Sequence, residues 1–130
     1  MVQIVPLYAG LLGLLFCVLS VRTLRLRRTM RVAVGDGGNI VMLRAMRVHA
    51  NFAEYVPLCL VLLYLLQTQG TGPLFLHILG SGLLMGRLSH AYGVSREPEN
   101  YRFRVLGMTL TLGVLIAGSV RLLVLAARGS

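Results

Sequence analysis

An all-α integral membrane protein built as a four-helix bundle is what this sequence predicts, and three observations lead there. Of 130 residues, 56% are hydrophobic, with a mean hydropathy of +0.77. The apolar residues gather into runs that approach the roughly 20 needed to cross a bilayer core of about 30 Å. All 13 basic residues are arginines, against only Asp36, Glu54, Glu97 and Glu99, and they sit mostly between those runs. In a soluble protein that excess would point to nucleic acid; between membrane spans it reads as topology, so no nucleic-acid partner is expected. The length suits one domain, residues 1–130.

The first span covers residues 2–21. Pro6 stands near its start, where a helix tolerates proline, and Ala9, Gly10 and Gly13 offer a small-residue face. No basic region precedes it, so it reads as a retained span rather than a cleavable signal. Then comes VRTLRLRRTMR, with Arg22, Arg25, Arg27, Arg28 and Arg31, a positive-inside anchor in which one or two side chains can also reach a ligand.

VGDGGN, ending at Asn39, reads as a glycine-rich turn with a helix N-cap. It lacks the Lys-Ser/Thr ending of a phosphate loop. The second span is residues 40–66, joined by a short uncharged link to a third at 73–92, which Pro73 opens and in which Gly80, Gly82 and Gly86 mark close helix contact. The polar loop SREPENYR precedes the fourth span at 104–127. Four spans put loops one and three on one side, and these loops with the span ends beside them hold every arginine except Arg121 and Arg128. That side is then cytoplasmic and both termini lie opposite. So small a bundle has few walls of its own and is expected to oligomerise. Cys17 and Cys59 lie inside apolar runs, without the spacing of a metal site or a disulfide framework.

The informative stretch is RAMRVHANFAEYVP, residues 44–57. At about 100° per residue, setting Arg44 at zero puts Arg47 near about 300°, Asn51 about 340°, Glu54 about 280° and Tyr55 about 20°, one arc of about 100°; His49 falls at about 140°, on another face. Two cations, an anion, an amide and a phenol on one stripe suit a zwitterionic ligand. An internal Arg47–Glu54 network that merely ties helices together is the alternative. Arg87 and His90, three residues apart, share a face of the third span, whereas His77 reads as structural and Tyr101 as an interfacial anchor. Arg102 and Arg104 open the last span. Arginine cannot accept a proton at neutral pH, so its role is electrostatic. At about 4 Å and an effective dielectric of about 20 it favours a thiolate by up to about 4 kcal/mol before desolvation.

R-x-x-R-x-H-x-N-x-x-E-Y-x-P, present as Arg44, Arg47, His49, Asn51, Glu54, Tyr55 and Pro57, resembles the signature of the membrane-associated proteins in eicosanoid and glutathione metabolism, MAPEG. The GDGGN turn, GRLSH at the end of the third span and FRVLGM at the fourth resemble its bacterial branch. The resemblance implies a homotrimer in a bacterial inner membrane, with glutathione as co-substrate bound between subunits near the cytoplasmic side. It implies that Arg47, Asn51, Glu54 and Tyr55 hold the tripeptide, with Arg25 and His90 contributing. Arg104 matches the thiolate-stabilising arginine, with Arg102 close enough to leave the register open. His49 matches a position of secondary binding importance. Ala50 and Val94 stand where the prostaglandin E synthases carry an arginine and an aromatic hydroxyl, which argues against that isomerase activity.

The implied function is glutathione conjugation to a lipophilic electrophile, or glutathione-dependent reduction of a lipid hydroperoxide, with the hydrophobic partner drawn from the membrane lipids. No metal is implied. A non-catalytic lipid- or glutathione-binding scaffold is the alternative. A small multidrug exporter fits poorly, because its coupling charge would be expected in the first span, which contains no charge at all.

Overall fold

The computed structural model describes residues 3–129 and contains four helices: α1 (Ile4–Met30), α2 (Ile40–Thr68), α3 (Pro73–Ser95) and α4 (Tyr101–Arg128). Asn39 caps α2 as expected, its Oδ1 accepting from the backbone N–H of Val41 at 2.9 Å and of Met42 at 3.1 Å. Pro73 begins α3, where its missing N–H costs nothing.

One boundary differs in an instructive way. The arginine cluster is not a loop: α1 runs on through it to Met30 and stops only where Arg31 turns left-handed, at φ 55°. Arginine is a good helix former, and cations suit the negative C-terminal end of a helix. Arg27 completes the stop by donating from Nη1 to the carbonyls of Ala33 and Gly35 at 3.3 and 3.0 Å. At the other loop, Asn100 caps α4, so this helix starts three residues before the expected Arg104.

The helices alternate in direction. Arg22 near the end of α1 donates to Ser95 Oγ at the end of α3 at 2.6 Å, while Tyr8 and His77, near the starts of the same helices, meet at 2.9 Å. Loops one and three therefore share one end, which carries every arginine except Arg121 and Arg128. In the packing, α2 and α3 form the centre, and α1 and α4 flank them without packing on each other among the described residues. Leu12, Leu63, Leu66 and Leu83 are fully enclosed in the core. The outward faces carry residues such as Leu14, Leu74, Ile116 and Leu123, a lipid-facing surface on which helices pair backbone groups internally, except opposite Pro57 inside α2, which has no N–H to donate.

Three helices, α1, α2 and α4, are long and apolar enough to cross a membrane. The 23-residue α3 has the length but is diluted by glycine, serine, histidine and Arg87, and it touches all three other helices. Arg87 and His90 are thereby buried and kept from lipid, whereas His77 and Ser81 face outward.

Two packing devices hold the ends of the bundle. The first is a glycine seam between α3 and α4. A Cβ on Gly107 would stand 2.5 Å from His90 N and 2.6 Å from Gly86 O, and one on Gly93 would stand 2.5 Å from Arg104 N. Backbone thus lies against backbone at the arginine-rich end. Gly80 likewise makes room for the Tyr8 ring, but a Cβ on Gly10 or Gly13 of α1 would meet nothing within 4 Å among the described residues.

The second device is a clasp at the opposite end. Gln67 Oε1 accepts from the backbone N–H of Ile4 at 2.9 Å and of Val5 at 2.8 Å. The last turn of α2 thereby caps the first turn of α1, whose N–H groups have no partner inside their own helix. Gln67→Leu should leave both donors buried and unmet, at about 1–3 kcal/mol each. The expected result is a thermal midpoint lowered by several degrees in detergent; an unchanged midpoint would show that water replaces the clasp.

Candidate functional site

At the arginine-rich end, the first turns of α2, the end of α3 and the start of α4 enclose a cavity of about 200 Å³ lined by Ile40, Leu43, Arg44, Arg47, Asn51, His90, Val94, Glu99 and Arg104. Each polar member is there for a local reason. Arg44, Arg47 and Asn51 lie on one face of α2, spaced by three and four residues. Arg104 sits in the first turn of α4 and is held by the Asn100 cap and by the close contact at Gly93. His90 is buried on α3 opposite Gly107.

One carboxylate organises the mouth. Glu99 Oε1 accepts from Arg104 Nη1 at 2.9 Å, and Glu99 Oε2 lies 3.7 Å from Arg44 Nη1. Arg44 Nη1 also donates to the Val94 carbonyl at 3.2 Å. Arg47, by contrast, is exposed and hydrogen-bonds to no group of the chain among the described residues. Three guanidinium groups against one carboxylate leave an excess of two positive charges, counting His90 as neutral. Such a site selects an anion that carries several acceptors.

Beneath the cavity floor stands Arg87, with a relative exposure of 2%. It lies about 12 Å inside the end of α3, from eight residues at about 1.5 Å each. Its Nη1 donates to Asn51 Oδ1 at 2.7 Å and to the Asn51 carbonyl at 3.4 Å, and Nη2 contacts Met108 Sδ at 3.7 Å. Arg87 Nε has no partner, and no carboxylate pairs with this guanidinium among the described residues. A charge this deep in a membrane bundle is costly and points to function.

Of the residues singled out from the sequence, the structure brings Arg47, Asn51, His90 and Arg104 to the cavity. It does not bring Arg25, Glu54 or Tyr55 there within one chain. Arg25 is exposed on α1, beside two open grooves of its own helix. Glu54 is exposed and makes no hydrogen bond or ion pair among the described residues, so the internal Arg47–Glu54 network does not form; Tyr55 is half-buried. Arg102 lines an outward groove with Val105 and Thr109, which makes Arg104 the cavity arginine. His49 faces α1, with Nε2 3.0 Å from Ser20 Oγ and its ring stacked on Phe16 at 4.7 Å. Cys17 and Cys59 are free thiols.

Arg44 stands on the expected stripe but without an expected role in holding the tripeptide, and Arg87 and Glu99 are additions that the sequence analysis does not give to the site. A guanidinium inside a span was a readable signal for Arg87. Glu99 had none, because SREPENYR does not disclose which arginine its carboxylate meets.

The MAPEG family model matches residues 5–124. The chain is also 40% identical over 110 residues to the inner membrane protein YecN of Escherichia coli strain K12, a match covering 85% of this chain and 82% of YecN. YecN of Escherichia coli O6:H1 matches at the same identity and coverage.

Proposed function

The chain belongs to the MAPEG family, and from that premise we propose that it is a glutathione-dependent transferase or peroxidase of the bacterial inner membrane, acting on lipophilic electrophiles or lipid hydroperoxides. The observation that carries the reading is the convergence of Arg44, Arg47, Asn51, His90 and Arg104 on one cavity in a membrane bundle. Glutathione with its thiol ionised carries three negative charges and one positive charge. Its net charge balances the excess of two in the cavity.

The cavity supplies part of a site. At about 200 Å³ it is smaller than the roughly 300–1,000 Å³ typical of pockets that enclose a whole small ligand. Arg47 and Glu54 open outward from the same side of α2, and charged groups turned toward lipid are costly. A second copy of the chain covering that face, bringing its own Arg25 and His49 from the α1 side, would enlarge the cavity and give Glu54 and Tyr55 a role in holding the tripeptide. We therefore assign a homotrimer with glutathione between subunits, and loops one and three on the cytoplasmic side by their arginine content. Arg104 would stabilise the thiolate, and the apolar second substrate would reach it from the bilayer. Conjugation forms a sulfur–carbon bond as the electrophile's leaving group departs with the electron pair of the bond it breaks; peroxide reduction cleaves the O–O bond to an alcohol and water, two glutathione thiols supplying two electrons and two protons as they become a disulfide.

The Arg104–Glu99 pair favours one alternative, a non-catalytic binding protein in which this arginine is a structural tie. Purified protein incubated with glutathione and either a conjugation substrate or a lipid hydroperoxide decides between them. Turnover of either substrate supports the enzyme; binding without turnover supports the scaffold. Millimolar glutathione should also raise the thermal midpoint, since a ligand selective for the folded state stabilises it. No shift would sink the binding claim. Glu54→Gln is expected to weaken glutathione binding while leaving the oligomer intact, and retained affinity would remove Glu54 from the site.

A further inference from the structure

We infer that Arg87 is a positioning residue that fixes which atom of Asn51 the cavity presents, so that a ligand is met there by a hydrogen-bond donor and must bring an acceptor. The identity of that ligand as glutathione rests on the proposed function; the polarity of the site does not.

The chemistry of the two side chains sets the orientation. A guanidinium has only donors, while an asparagine amide has an oxygen that accepts and a nitrogen that donates. With Arg87 Nη1 2.7 Å from the amide, the atom facing it must be Oδ1. The opposite arrangement would set N–H against N–H. Asn51 also lines the cavity, and its Nδ2 has no partner in the chain among the described residues. The free end of the amide is therefore the NH2 group, turned to the cavity.

A structural tether does not account for this arrangement. Apolar side chains at both positions would join α2 to α3 without burying a charge, and replacing buried polar sets by well-packed hydrophobes is often neutral or stabilising. Arg87 is instead held with one nitrogen unmet and no opposing carboxylate. Its effect is to remove the rotational ambiguity of an amide that could otherwise flip to suit donor or acceptor. The cavity then offers donors on all sides, from Arg44, Arg47, Arg104 and Asn51, with Glu99 as the acceptor at its mouth. A carboxylate or peptide carbonyl of the ligand fits against Asn51; an ammonium does not.

The test uses full-length protein in detergent and two readouts. Asn51→Asp keeps an acceptor for Arg87 and the shape of the side chain, but turns an acceptor to the cavity. It should fold with a midpoint near that of the unsubstituted protein and bind S-methylglutathione roughly a hundredfold more weakly. Arg87→Lys, also donor-only, should retain most of the affinity, whereas Arg87→Gln should lose roughly tenfold because the amide at position 51 can then flip. Asn51→Asp with unchanged affinity would overturn the inference, as would Arg87→Gln that binds as well as Arg87→Lys. The second readout needs no ligand: NMR of protein carrying isotope-labelled asparagine should show the Asn51 NH2 protons exchanging with water, and protected protons would overturn the inference. If the unsubstituted protein binds no S-methylglutathione while that exchange is seen, the glutathione reading fails and the donor polarity stands.

Discussion

Arg104→Ala is expected to remove the ultraviolet absorption of bound thiolate at neutral pH while sparing most glutathione binding. Among the described residues the guanidinium is the one cavity charge on α4, and at about 4 Å from a sulfur in a dielectric of about 20 it contributes up to about 4 kcal/mol. Desolvation and the Glu99 carboxylate 2.9 Å away take back part of that. If half remains, conjugation should slow on the order of 30-fold. Arg102→Ala is the internal control, since Arg102 points into an outward groove and its loss should leave the band unchanged. An undiminished band in Arg104→Ala, or a lost one in Arg102→Ala, would transfer the role.

The second large effect concerns backbone rather than charge. Gly107→Val should cost about 3 kcal/mol, near the upper end for overpacking, because the new Cβ would meet His90 N and Gly86 O at 2.5 and 2.6 Å and backbone cannot rotate out of the way as a side chain can. A midpoint lowered on the order of 10 °C is the expected reading. Activity should fall further than stability alone explains, since parting α3 from α4 also parts His90 from Arg104. Gly113→Val is the matched control: a Cβ there meets nothing within 4 Å in the chain. Equal losses in the two variants would place the damage at a contact between copies and not in the seam.

Much of this was legible in the chain, and for physical reasons. Four helices, their alternation and the start of α2 come from apolar runs, from Asn39 as a cap and from Pro73, all of them local signals. The helical arc correctly set His49 apart from Arg44, Arg47 and Asn51, because that relation depends only on helix geometry. The end of α1 was not legible in the same way: a helix does not stop where the membrane does, and arginines extend it readily. Glu54 and Tyr55 share the arc of Asn51, yet neither lines the cavity, and an arc alone carries no information on how deep the neighbouring helices pack. Arg87 and Glu99 act through α2 and α4 respectively from elsewhere in the chain, and such pairings are tertiary facts.

Glu99 gives the site a resident counter-ion, with a consequence for selectivity. A carboxylate tethered five residues before Arg104 competes with any incoming anion at an effective concentration that, for short flexible tethers, is in the millimolar range. A simple monoanion such as acetate must exceed that level merely to draw even. A ligand that engages Arg47 and Asn51 at the same time gains contacts Glu99 cannot make and wins the exchange at far lower concentration. The internal carboxylate therefore acts as a threshold, keeping the arginines idle among small cellular anions and yielding them to a molecule with several acceptors in the right places.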